Sequence, residues 1–263
     1  MEKSKLLDRV SGEERMVLAM VLDKAEQART RSVPVSTDFM SPQLQEQAKE
    51  LLYRAGVSEG DYVALGGFQA AERRVLLFLP DWLEPEYAEA ESPICAIRAR
   101  FRAEDGLTHR DLLGSLMSLG VVREKLGDLL VGEESADVLC LQSVRDYLLT
   151  NWETAGRTHL KLQAVELSAL HIPQASFKEL RDTVSSLRLD AVAAAGFRLS
   201  RGKAAELVES GKLELNWRSC QKPNRLLEAG DRVSARGFGK FELTEVGGLT
   251  RKGRVAITIK RFE

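Results

Sequence analysis

Residues 186–241 read SLRLDAVAAAGFRLSRGKAAELVESGKLELNWRSCQKPNRLLEAGDRVSARGFGKF, and the reading of this stretch decides the fold. Its start predicts a helix over Ser186–Ala195, because Leu187, Leu189, Val192 and Ala193 fall within one apolar stripe. Gly196 is expected to end that helix by accepting a positive φ. Ser200 stands where an N-cap belongs, and Arg201, Gly202 and Lys203 form the first turn of a second helix. Cations beside the positive end of a helix dipole are locally unfavourable. A phosphate relieves the conflict, since the open backbone N–H groups, Arg201 and Lys203 can all address it. Gly-punctuated strands follow.

The same residues resemble the S4 (αL) RNA-binding domain. The resemblance rests on Arg188-Leu189-Asp190, Gly196, Ser200-Arg201, Ala204, Gly211, Leu213 with Leu215 and Asn216, and Gly230-Asp231-Arg232-Val233. Two departures concern turns: Glu228-Ala229 replaces the usual Pro, and Trp217 replaces the usual Gly after Asn216. The implied interface is Arg188, Arg198, Ser200, Arg201, Lys203, Lys212, Asn216, Arg236 and Lys240. Ser200 caps the helix that faces phosphates, and Arg188, Arg198, Arg201 and Lys203 form the charged contact face. Lys212, Arg236 and Lys240 extend it from the sheet side. Asn216 either holds the strand turn or contacts RNA.

The net charge of −1 conceals an asymmetry. Residues 185–263 carry 16 Lys+Arg against 9 Asp+Glu, whereas 1–184 carry 22 against 30. A basic third on an acidic body suggests that one end meets a polyanion. No run of the sequence is long enough to span a bilayer, so no membrane partner is expected. The opening MEKSKLLDRVSGEERMVLAM has neither a secretory apolar core nor an acid-free transit composition, which makes the cytoplasm the expected location. Cys95, Cys140 and Cys220 are too few and too scattered for a disulfide framework, and read as buried free thiols. His109, His159 and His171 lack partners at metal spacing, so neither a metal nor a cofactor is expected.

Upstream, residues 1–31 read as helix, with Ser11 and Glu14 as a capping box. VPVSTDFMSP (33–42) is a connector, and Ser41-Pro42 opens the next helix, which Gly56 closes. DYVALGGF and RRVLLFLP are strands of a small α+β unit, residues 1–88. Arg29, Arg31 and Arg54 fit a solvated face better than an RNA contact. Acidic EPEYAEAESP marks a boundary. Residues 93–166 follow a β-α-β-β-α-β order, that of a ferredoxin-like plait. That plait offers only Phe101 as a stacking aromatic, so shape, phosphate or protein contacts suit it better than base stacking. Residues 167–184 form a connector broken by Pro173, with a short helical piece leading into an S4 unit over 185–263. The basic loop Arg251–Arg254 and the Gly-rich turn at Arg236 to Lys240 both suit phosphate contact, and both also suit a solvated hairpin. The fold class is therefore α+β in three small domains.

STDFMSP, THRDLLGSLMSLG, REKLGDLLVG and the S4 block together resemble the YlmH family of bacterial S4 proteins, over essentially the whole chain. This version is similar to its cyanobacterial and plastid branch, the photosystem II S4 domain proteins. The resemblance implies RNA binding on the ribosome, with relatives associated with the large subunit, with rescue of stalled nascent chains and with cell division. The partners it implies are rRNA or tRNA, with no small-molecule cofactor and no catalysis. Two fragments favour an enzyme instead. THRDLL, with Asp111, is similar to the catalytic-aspartate motif of S4-linked pseudouridine synthases, and GRTHLKL (156–162) to one of their strands. The spacer between them is short for that fold, and the S4 block comes last rather than first. A protein-interaction scaffold built on the acidic front domains is the remaining class.

Overall fold

The computed structural model describes residues 3–8, 10, 12–173 and 177–262. At the front, a one-turn helix α1 (Lys3–Leu6) precedes α2 (Gly12–Arg31). Leu18, Val21 and Ala28 recur at helical spacing along α2 and are each 1% exposed. Ser11 of the expected capping box lies outside the described residues, and Glu14 instead accepts from Gln43 and Gln47 of α3 (Pro42–Ala55). That third helix is bounded as its sequence demands. Ser41 Oγ accepts from Leu44 N, Pro42 opens the first turn, and Gly56 closes it at φ 78°. Inside VPVSTDFMSP, read as connector, Val35–Ser36 form a short strand β1. It pairs with β3 (Val75–Phe78), which also pairs with β2 (Tyr62–Leu65), giving the order β1-β3-β2.

The plait follows the expected order: β4 (Ile94–Arg100), α4 (His109–Ser118), β5 (Leu126–Val131), β6 (Ser135–Leu141), α5 (Gln142–Asn151) and, after a small hairpin of β7 (Thr154–Ala155) and β8 (Thr158–His159), β9 (Lys161–Val165). Its sheet order is β5-β6-β4-β9, with every pair antiparallel. Thr108 and Asp111 form a capping box at the start of α4. Phe101 packs into the helix-side core at 9% exposed, which leaves it unavailable for stacking. Cys95 and Cys140 face one another across β4 and β6 with their sulfurs 3.4 Å apart, both as free thiols. The opposite face of the sheet holds a buried ion pair. Arg98 Nε and Nη2 donate to both oxygens of Asp137 at 2.7 Å.

The two segments on either side of the acidic stretch at 84–93 pack together as one compact unit, residues 1–173. The seam has a sequence origin. Phe39 of STDFMSP joins Val75, Ile94, Leu130 and Leu139 in one apolar cluster. Its N–H donates to Glu124 O at 2.8 Å, and Lys125 pairs with Asp38 at 2.8 Å. A Cβ on Gly127 would lie 2.8 Å from the Phe39 ring, so only glycine lets that ring close on β5. The motifs STDFMSP and REKLGDLLVG are therefore the two sides of one packing joint.

The second unit runs from Gln174 to Glu263. Its first element corrects the expected connector. Phe177–Val184 is not a helical lead-in but strand β10, paired along its whole length with β15 (Val255–Phe262). Helices α6 (Leu189–Phe197) and α7 (Arg201–Glu209) follow, then β11 (Leu213–Leu215), β12 (Arg218–Ser219), β13 (Arg232–Ala235) and β14 (Gly239–Leu249). The sheet order is β10-β15-β14-β13-β11-β12. Gly247-Gly248, expected to separate short strands, instead sit at a register irregularity within the 11-residue β14. Leu189, Val192, Ala204, Val208, Phe241, Leu243, Ile257 and Ile259 form the core between the helices and this sheet.

Gly196 has a different role from the one its sequence suggests. It lies buried within α6, and the left-handed residue that ends the helix is Arg198, at φ 56°. A Cβ on Gly196 would fall 2.4 Å from the Phe241 ring. The glycine is required for close approach, not for backbone reversal.

Candidate RNA interface

The tips of α6 and α7 meet around one carboxylate. Arg188 is the N-cap of α6 and Asp190 lies in its first turn. The Asp190 side chain is 5% exposed and accepts from Arg188 Nε at 3.0 Å, Arg188 Nη2 at 3.1 Å and Arg201 Nε at 3.2 Å. Burial alone would raise its pKa; the two guanidiniums outweigh that, and the net direction is down. Asp190 stays ionised and fixes two arginines from different helices beside one another. The Arg201 side chain remains 51% exposed, so the pair is oriented by the carboxylate without being hidden by it.

At the start of α7, Ser200 Oγ accepts from Lys203 N at 3.3 Å. Its first turn holds no acid, and Arg201, Gly202 and Lys203 are all exposed. The dipole conflict inferred from sequence is therefore present in the structure. Beside it, Arg198, Arg201 and Arg254 line a shallow groove of about 480 Å³ with Asp182 and Thr183. Arg254, from the basic loop, is held there by donating to the Thr183 hydroxyl and carbonyl. Arg198 also borders a second hollow with Lys178, Arg261 and Phe262.

The remaining candidates divide. Lys212 is exposed just beyond α7 and Arg236 is exposed in the turn between β13 and β14. Asn216 holds a turn. At φ 50° it donates to Asp231 Oδ1 at 2.7 Å and accepts from Arg232 N at 2.9 Å. Lys240 is not brought to the helix tips. It precedes Phe241, whose ring packs under α6, so the pleat sends Lys240 to the opposite face, 5.4 Å from the Phe262 ring.

Asp190, noted in the sequence only as part of the Arg188-Leu189-Asp190 motif, is the residue given no role there. Lys178 was missed because its strand, at the end of the sheet, shows no clean apolar alternation, and Arg261 because nothing local in VAITIKRF announces that its end lies beside Arg198. Among the described residues no group of His, Cys, Asp and Glu is placed to hold a metal ion, and no helix is long and apolar enough to cross a membrane. Asp111 is engaged by its own cap, accepting from Thr108 N at 3.0 Å and Thr108 Oγ1 at 2.5 Å.

Comparison with known proteins marks three segments along the chain, two of them within the first compact unit. A family model described as "YlmH, N-terminal" matches residues 13–82, one described as "Putative RNA-binding domain in YlmH" matches 95–169, and one described as "S4 domain" matches 187–233. The chain is 34% identical over 226 residues to "Ribosome-associated protein quality control protein P2" of Bacillus subtilis (strain 168), covering 86% of each. A solved structure, "Cell division protein ylmH from Streptococcus pneumoniae", superposes with a TM-score of 0.50 at 24% identity. That match covers 62% of this chain and 97% of the other, and shows a shared fold.

Proposed function

The chain belongs to the YlmH family of S4-domain proteins, and from that premise we propose that it is a non-catalytic adaptor that grips structured RNA on the large ribosomal subunit. The observation that carries this reading is the α7 tip, where an acid-free first turn and open N–H groups adjoin the Asp190-oriented arginines. Such a tip takes a sugar–phosphate chain, and few aromatics are present to read bases, so the RNA is recognised by folded shape. The B. subtilis relative is named a ribosome-associated protein quality control protein, which supports a ribosome-linked role. Within this proposal, that role is rescue of stalled nascent chains, with rRNA or tRNA as the ligand.

Arg201→Glu with Lys203→Glu tests this. Binding to ribosomal RNA should weaken, and the salt dependence should flatten by roughly 0.7–0.9 in slope for every phosphate interaction removed. Unchanged affinity and slope would remove the site. The enzyme reading makes a separate demand: a uridine isomerisation abolished by Asp111→Ala. The scaffold reading requires crosslinks from cells to be mostly to protein.

A further inference from the structure

A second basic hollow lies in the other unit, on the plait. A cleft of about 540 Å³ opens where the ends of β4 and β9 meet the β7–β8 hairpin. Arg100, Arg102, Arg157 and Lys161 converge on it with His159, and among the described residues Asp105 is the only acid in its lining. That acid is already engaged, because Asp105 Oδ2 accepts from Arg102 N at 3.1 Å.

Two features separate this cleft from an ordinary solvated surface. Arg100 and Lys161 are direct partners in the β4–β9 register, so two like charges stand opposite one another on one face. Such a pair destabilises a sheet unless something else compensates. Among the described residues, Arg100, Arg157 and Lys161 form no ion pair with an acid of this chain. The second feature is context. The cleft gathers these cations in the region of the chain where acids outnumber bases, 30 to 22 over residues 1–184. Uncompensated cations arriving from three elements at one concave point fit an anion supplied from outside.

We infer that this cleft is a phosphate clamp for RNA, a second contact separate from the α7 tip. The inference rests on the RNA-binding reading above and adds where the plait takes part in it. Arg157 is placed at the turn of the β7–β8 hairpin, next to Gly156 at φ 61°, and can reach a phosphate that Arg100 and Lys161 approach from the strands. Thr158 and His159 offer polar groups at the same wall, suited to ribose hydroxyls. The fragment GRTHLKL, which resembled a pseudouridine synthase strand, supplies Arg157, Thr158, His159 and Lys161. Its chemistry here is electrostatic.

The test uses the full chain and a fluorescein-labelled RNA hairpin with a single-stranded flank. Arg157→Glu with Lys161→Glu is compared with the parent and with Arg201→Glu plus Lys203→Glu. Arg157→Gln with Lys161→Gln serves if the reversal variant does not fold. Removing two phosphate interactions should flatten the salt slope by roughly 1.4–1.8 and abolish crosslinks at residues 157–161, with those at 198–203 kept. If the cleft variants bind with parental affinity and slope while the α7 variant is weakened, the clamp is overturned and the α7 site stands. If the cleft variants weaken and the α7 variant does not, the clamp stands and the α7 site falls. If neither changes, both fall. Loss of poly-glutamate binding with unchanged RNA binding would assign the cleft to an acidic protein and overturn the clamp.

Discussion

Asp190 shows how one buried charge can serve a surface. It is 4% exposed, yet the groups it orients are the half-exposed guanidiniums of Arg188 and Arg201. Its folded pKa is depressed, so its contribution to stability is fully present above the ordinary aspartate value of about 3.9. That contribution is lost as pH falls through the lower folded value. Asp190→Asn should therefore cost about 1–3 kcal/mol at neutral pH, by urea unfolding, and the gap from the parent should close under acid. A gap that stays constant down to strong acid would mean that the carboxylate charge contributes nothing. The Arg-x-Asp spacing was visible in the sequence. What it could not show is Arg201 arriving at the same carboxylate from the next helix.

At the level of elements, α6 is fitted to β14 through a single missing methyl. Gly196→Ala would place its Cβ within 2.4 Å of the Phe241 ring, which is itself fully buried against Phe197. Overpacking of this kind costs about 1–3 kcal/mol. Thermal unfolding should record that loss, and adding Phe241→Leu should recover some of it. No recovery would place the strain elsewhere. Helices α6 and α7 were legible because apolar spacing and a Ser cap are local signals. The plait was legible from its alternation of strand and helix patterns. Strand β10 was not. Only Leu180 and Val184 of FKELRDTV reach the core, and its other side chains are polar or exposed, as befits a strand at the end of a sheet. The role of Gly196 was misread for a related reason: a glycine near a helix end signals reversal, and nothing local announces a ring from a strand 45 residues on.

Across the whole molecule, the residues that define the family resemblance at the front of the chain are explained by packing. Phe39 is 1% exposed at the joint between the N-terminal segment and the plait. Phe39→Ala should cost about 3–5 kcal/mol. Hydrogen exchange should show β3 and β5 losing protection together, because residues 1–173 form one compact body, while β14 and β15 keep theirs. Independent loss in β3 alone would divide that body in two. Strand β10 carries a consequence of another kind. It ends its sheet with eight residues whose outer backbone groups have no strand beside them among the described residues, an open template for a neighbouring copy. Lys178, Glu179, Arg181 and Asp182 stud that margin, all exposed. The alternating charges that hid the strand from sequence reading also make it a poor nucleus for fibres, so crowded copies repel or mismatch at this margin instead of stacking.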